Sequence, residues 1–423
     1  MKINQQKMIE RFLRYTQIDT QSDENSTTYP STEKQLVLSR LLVKELKEIG
    51  IKTVELTDHG YVFATLPSTL PEKHDKTVPV IGLIAHVDTS PDVSGSGVIP
   101  VIHQNYQGGG IRLPKDQALV IQPETDPALK NCLGHDIITS DGTTLLGADN
   151  KAGIAEIMTA VEYLVNNPGI QHGEIRIAFT VDEEVGQGTK HFDPKKFGAK
   201  YAYTIDGETA GELEIETFCA DTVIVTVKGI NIHPGYAKDK MVNSIKIAAE
   251  LITQLPKDRM SPETTEKREG YLHPNTFNAN VEESTIKFLI RDFTTEGLKE
   301  KEAYLENVLN GILKKYPKVS GKFRIEESYR NMRYILDDYP HVTEYAREAI
   351  ERSGLKPSIS LIRGGTDGAR LSYMGLPTPN IFTGGHNFHS KREWISVQDM
   401  LKASEVIIHL LQIWAEKGEK SGK

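Results

Sequence analysis

The sequence predicts an α/β fold, with a mostly parallel central sheet flanked by helices and an inserted α+β domain. Three observations predict it. Strand-length apolar runs alternate with helical stripes over the first 216 residues, the pattern of βαβ units. The run Val78–Asp88 is apolar nearly throughout, as expected of a central strand covered on both faces. After Glu216 the texture changes, and the α/β alternation returns only near residue 328. The expected organisation is therefore a core domain in two segments, 1–216 and 328–423, with an insertion at 217–327.

The first 50 residues read as two helices. Thr32 and Gln35 have capping-box spacing; Leu38, Leu42 and Leu46 form a stripe, and Gly50 is a natural stop. Strands are expected at Lys52–Leu56, Tyr61–Leu66, Val78–Asp88, Glu174–Asp182 and Tyr201–Asp206. Ile154, Met158, Val161 and Val165 mark a helix between them. Thr89–Leu146, rich in Gly and Pro, reads as a long excursion with a hairpin. In the insertion, strands are expected at Val223–Val227, Thr285–Arg291 and Lys322–Glu326, and helices at Asn243–Leu255 and Gly297–Lys315. The core resumes with helix Val342–Ser353, the Gly-rich loop Arg363–Arg370, strand Thr378–Phe382 and helix Val397–Trp414; the last residues, EKGEKSGK, are expected to fray.

Composition narrows the function. Hydrophobic residues make up 38% and charged residues 26%, ordinary globular values. The net charge of −8 gives no general attraction to nucleic acid or to an anionic membrane. No secretory h-region and no membrane-spanning run is visible. Two cysteines, Cys132 and Cys219, make no disulfide framework and suit reduced, buried thiols in a cytoplasmic protein.

Five acidic or histidine-bearing segments stand at strand ends: IAHVDTS (84–90), LLGADNKAG (145–153), TVDEEVG (180–186), YTIDGE (203–208) and FTGGHNFHS (382–390). In an open parallel sheet such ends converge on one crevice. Each segment alone has an ordinary explanation. His86 and Asp88 share a strand face, which suits a carboxylate orienting a metal-bound imidazole but equally a plain hydrogen-bonded pair. Asp149 could be a helix N-cap. Asp182-Glu183-Glu184 could be a solvated acidic turn; a cation would turn its repulsion into attraction, one Glu acting as ligand and its neighbour as base. Asp206 ends a strand, and either His386 or His389 could be structural. Taken together, two imidazoles and several carboxylates without a thiolate suit a pair of zinc ions, with manganese or cobalt as substitutes.

With VKGINIHPGYAKDKMVNS (227–244), RMSPETTEKREGY (259–271), IRDF (290–293) and IRGGTDGARLSYMGLP (362–377), the series resembles the peptidase T group of the co-catalytic two-zinc metallopeptidases, over nearly the whole chain. The related aminoacylases and carnosine-type dipeptidases share the broader family. The resemblance implies that Asp149 bridges two zinc ions, with His86 and Asp206 completing one site and Glu184 and His389 the other. It implies Glu183 as general base and Asp88 as the partner of His86. It implies that the insertion is a lid, with His233 and Arg291 as substrate-binding residues, joined by Arg363 from the Gly-rich loop. It also implies a cis Asp149–Asn150 bond. His386 departs from the group, which usually carries an aromatic residue there. The expected activity is removal of the N-terminal residue from tripeptides; a dipeptidase or N-acyl-amino-acid amidohydrolase is the alternative. The expected partners are a short peptide and, through the lid, a second copy of the chain.

Overall fold

The computed structural model describes residues 1–418. Contacts divide the chain into two compact units. One comprises Met1–Ile215, Met332–Ser360 and the chain from Thr366 onward; the other comprises Glu216–Asn331 and Leu361–Gly365.

The first unit is built on an eight-stranded sheet in the order Thr53–Leu56, Val62–Leu66, Ile175–Thr180, Ile81–His86, Tyr201–Gly207, Asn380–Phe382, Glu212–Thr217, Ser358–Ile362. Its middle four strands are parallel. The margins are not: Thr53–Leu56, Val62–Leu66 and Ile175–Thr180 pair antiparallel, and so do Glu212–Thr217 and Asn380–Phe382. The expected mostly parallel sheet is thus a mixed one. The first two strands are joined by a short turn, in which Gly60 donates to Thr57, and so short a link permits only antiparallel pairing.

Every residue of Ile81–His86 is buried, because helices cover both faces. Gln5–Thr16, Gln35–Ile49, Ala148–Asn166, Pro340–Arg352 and Val397–Lys417 contribute to one continuous core. Leu38, Leu42 and Leu46 are fully buried, and their helix ends at Gly50 in the left-handed region (φ 110°), whose N–H reaches the Leu46 carbonyl. The Thr32–Gln35 capping box does not form. The helix starts after Lys34 without a side-chain cap, Thr32 donates to the Gln21 carbonyl, and Gln35 turns inward.

Thr89–Leu146 holds more order than a single hairpin. Ile111–Arg112 pairs with Val120–Ile121, while Val101–His103 and Ile137–Thr139 join Trp394–Ser396 and Gly385–His386 in a second, four-stranded sheet. Strands of two or three residues are too short to show alternation in a sequence. Cys132 and Cys219 are both free and buried. Among the described residues, no helix is long and apolar enough to cross a membrane. The final helix extends to Lys417, so Glu416 and Lys417 of the segment expected to fray are helical, and its last five residues lie outside the described residues.

The second unit is a four-stranded antiparallel sheet, in the order Tyr271–Ala279, Glu283–Asp292, Cys219–Lys228, Ser320–Tyr329. Burial alternates along Cys219–Lys228, and Ser244–Gln254 and Thr295–Leu313 contribute Ile247, Leu251, Leu305 and Leu309 to its core. Tyr271–Ala279 was not expected as a strand: Pro274 interrupts it and its second half is exposed. Leu361–Gly365 belongs to this unit rather than to the core segment expected from sequence, because Arg363 donates to the carbonyls of Thr265, Lys267 and Glu269.

Glu214 lies in the main sheet, where Asn380 Nδ2 donates to its Oε2 at 2.5 Å. Burial, with Glu212 and Asp206 nearby, pushes its carboxyl up to about 8. The folded chain therefore keeps a proton that the unfolded chain has lost, and the stability this group gives at low pH is lost as pH rises through about 8. Glu214→Gln, neutral throughout, is expected to leave Tm unchanged at about pH 5 and raise it by about 1–3 °C at about pH 9. Thermal melts of both proteins check this; the same Tm difference at both pH values refutes it.

Candidate metal centre

The parallel register sets the site. Ile81–His86, Ile175–Thr180 and Tyr201–Gly207 run side by side and end on one edge of the sheet. His86 is the last residue of its strand and is 2% exposed. Its Nε2 lies 3.0 Å from Asp149 Oδ1 and 3.5 Å from Asp206 Oδ1. Its Nδ1 lies 3.1 Å from the Asp88 carbonyl and 3.3 Å from Asp88 Oδ1. A proton on Nδ1 leaves the Nε2 lone pair facing the two aspartates.

Asp149 lies in the turn ahead of the regular part of the helix Ala148–Asn166, two residues after Gly147 (φ 81°), and its own ψ of 105° is outside the helical range. The Asp149–Asn150 bond is cis. While Oδ1 faces His86, Oδ2 lies 3.2 Å from His389 Nε2. The same His389 nitrogen is 2.8 Å from Glu184 Oε2, and its Nδ1 is 3.3 Å from Asp92 Oδ2. Two donor groups thus share one carboxylate: His86 with Asp206 on one side, His389 with Glu184 on the other. His386 is not among them; it stacks on Trp394 with ring centroids 4.4 Å apart, and burial holds it down at about 4.

The acidic turn is clamped from two directions. Asp88 Oδ1 accepts the Glu183 N–H and Oδ2 the Glu184 N–H, each at 3.1 Å. One buried carboxylate thereby fixes both glutamates while touching the His86 ring. Asp182, at φ 59°, accepts from Ser31 N, Ser31 Oγ and Gln35 Nε2 at 2.7, 2.5 and 2.6 Å, and its own N–H returns to Gln35 Oε1. Under the Asp149 turn, Glu393 accepts from the main-chain N–H groups of Leu146, Gly147 and Asp149 at 2.7, 2.7 and 3.0 Å. Ser31, Asp92 and Glu393 were not expected at the site. Asp92 follows the first strand-end segment, but Lys391-Arg392-Glu393 reads as a charged surface run.

The electrostatics are those of a buried acidic cluster. Burial raises Glu183 well above the usual carboxylate range. Burial and then Asp149 push Glu184 up to about 8; burial also raises Asp206, to about 7. Burial opposes charge on the imidazoles, but the carboxylates prevail: Asp206, Asp149 and Asp88 hold His86 high, and Asp149 with Glu184 pushes His389 up to about 12. Glu184 Oε1 is buried without a hydrogen-bond partner. His86, Asp149 and Glu184 each offer a ligand atom, all within 4.8 Å of one another. A cavity of about 650 Å³ opens on Asp149 and His389, with Asp126, Glu208 and Phe388 in its lining.

The other three expected residues belong to the second unit. His233 is exposed and accepts the Gly235 N–H on Nδ1 at 3.2 Å. Arg291 is half-buried; its Nη1 donates to the carbonyls of Asp221 and Ile290, and its guanidinium lies 5.6 Å from the Tyr329 ring centroid. Arg363 uses both terminal nitrogens on the 265–269 segment and covers the Phe218 ring at 5.1 Å.

Comparison with known proteins gives this geometry a context. A peptidase T from Geobacillus kaustophilus is 49% identical over 97% of this chain and 99% of its own length. One from Bacillus pumilus is 50% identical over the same shares. The crystal structure of an aminopeptidase, PepT, from Bacillus cereus matches with a TM-score of 0.75 at 26% identity, covering 98% of this chain and 99% of that one. A tripeptidase from Staphylococcus aureus shares the fold, with a TM-score of 0.76 at 21% identity, over 98% of this chain and 100% of that one. The profile of peptidase family M20/M25/M40 matches residues 141–413, which carry Asp149, the two glutamates, Asp206 and His389. With that match, and relatives of such identity along nearly its full length, the chain belongs to peptidase family M20/M25/M40 and is a hydrolase of peptide bonds.

Proposed function

We propose that this chain is a two-metal aminopeptidase that removes the N-terminal residue from tripeptides. The observation that carries the reading is the pair of donor groups meeting on Asp149, one on each carboxylate oxygen. His86, Asp149 and Asp206 would hold one ion, and Asp149, Glu184 and His389 the other. The residues fit such ions: two imidazole nitrogens, three carboxylates, no thiolate, and a buried Glu184 oxygen that lacks a partner. Zinc suits this set, and cobalt or manganese can substitute. When bound, the ions supply Lewis-acid polarisation of the scissile carbonyl and neutralise the crowded carboxylates.

Glu183 is the proposed general base. Its carboxylate accepts a proton from the attacking water and delivers it to the leaving amine. Its position beside Glu184 on the clamped turn keeps it next to the donor groups without spending it as a ligand. Asp88 orients the base through its main-chain N–H and fixes the His86 ring. The second unit acts as the lid, with Arg291 and His233 as contacts to the substrate's carboxylate and to the developing oxyanion. Arg363, whose terminal nitrogens already serve main-chain carbonyls, is the weaker candidate for a carboxylate anchor. Identity near 50% to proteins named peptidase T supports the substrate class. The free thiols suit a cytoplasmic setting.

The direct test is a panel of di-, tri- and tetrapeptides, free and N-acetylated, assayed before and after chelation and after adding back Zn²⁺, Mn²⁺ or Co²⁺. Free tripeptides are expected to be cleaved fastest, and chelation to abolish turnover reversibly. Preference for acetylated substrates would establish an amidohydrolase instead. Glu183→Gln is expected to retain both metals by elemental analysis while turnover falls about 10²–10⁴-fold. Loss of metal in that variant would exchange the roles of Glu183 and Glu184. Arg291→Ala is expected to lower tripeptide cleavage about 10-fold or more and to narrow the gap between free and C-terminally amidated tripeptides. The same change from Arg363→Ala instead would move the anchor, and no change from either would remove both arginines from carboxylate recognition.

A further inference from the structure

We infer that Glu393 is a positioning residue for the Asp149 carboxylate: it holds the main chain that aims this side chain at both ion sites. The inference rests on the reading of Asp149 as the shared ligand.

The turn that carries Asp149 stands ahead of the regular helix: Asp149 and Asn150 lie outside helical φ/ψ, and Asn150 caps that helix by accepting the Gly153 N–H at 3.2 Å. The main-chain N–H groups of the turn itself need an acceptor from elsewhere. Glu393 supplies the acceptor from 244 residues away. Oε2 takes the N–H groups of Leu146 and Gly147, and Oε1 takes that of Asp149 itself. The residue is 1% exposed, so these bonds form out of water.

A clamp of purely structural use would stop at stabilising the turn. This one has two further properties. It grips the main chain of Asp149, whose carboxylate faces a different imidazole through each oxygen. It also lies four residues after His389, on the segment that brings that imidazole to Asp149 Oδ2. One carboxylate therefore sets the spacing between the turn that carries Asp149 and the segment that carries His389. Because Asp149 serves both donor groups, loosening Glu393 should weaken both ions together rather than one.

The test is metal binding by the apoprotein, read by competition with a chromophoric zinc chelator on wild type, Glu393→Gln and Glu393→Asp. Gln keeps the size but turns an amide NH₂ toward at least one main-chain N–H. Asp keeps the carboxyl group on a stem one methylene shorter. The wild type is expected to bind two zinc ions. Glu393→Gln should weaken both about 10–100-fold, with the far-UV spectrum of the folded chain retained. Zinc affinities within about twofold of wild type, whatever the change in Tm, would make Glu393 a structural clamp of the turn alone and overturn the inference. If Glu393→Gln does not fold, Glu393→Asp decides by the same criterion. A wild type that takes up no zinc overturns the metal-centre reading and this inference with it, whereas a two-zinc wild type with unaffected variants overturns the inference alone.

Discussion

The shared carboxylate of Asp149 is the constraint around which the first unit is arranged. To face two imidazoles at once it must be aimed at a fixed angle from its turn, close to two separate pieces of chain. The parallel strands deliver His86 and Asp206 to one side, and the turn after the last parallel strand delivers His389 to the other. The helix behind Asp149 is buried along most of its length, so the carboxylate stands on the core rather than on a loop. Placing several carboxylates there is unfavourable without a cation, as their raised positions show. The surrounding hydrogen bonds keep them aimed regardless, which is the meaning of preorganisation.

Much of this is legible in the sequence because strand ends have a signature. An apolar run that stops at an acid or a histidine places His86, the 182–184 turn and Asp206 on one sheet edge before any coordinates exist; the other two expected strand ends differ, since Asp149 stands in the turn before a helix and His389 in a turn beyond Gly385–His386. The same logic fails where a partner is remote and its own neighbourhood is bland. Gln35 resembles part of a capping box, yet its amide serves Asp182, 147 residues away. Glu393 sits in a charged run that suggests a solvated surface, yet it is buried under a turn far upstream. Short strands fail for another reason: Gly385–His386 and Trp394–Ser396 are ordered by the sheet they join, not by their own pattern. Arg363 is claimed by carbonyl groups near residue 267, which no local feature of its loop announces.

The two units divide the labour along similar physical lines. Ionisable groups that must keep a fixed geometry are held by main-chain N–H donors and buried carboxylates within the first unit. The second has an antiparallel sheet with helices and a core of its own, and its candidate substrate contacts stand on a turn and a strand. Catalytic chemistry tolerates little change in its supports, whereas recognition can vary with the side chains of a separate sheet.

The order of these residues along the chain has a consequence for synthesis. His86, Asp149, Glu184 and Asp206 all precede the second unit, while His389 and its neighbour Glu393 follow it. A growing polypeptide therefore carries most of the donor atoms long before the last imidazole leaves the ribosome. Until then the Asp149 turn lacks its acceptor, and one of the two proposed ion positions lacks its nitrogen. The donor set is therefore completed only after the second unit has been made in full, so a chain interrupted midway carries most of the candidate ligands but not the clamp that aims them.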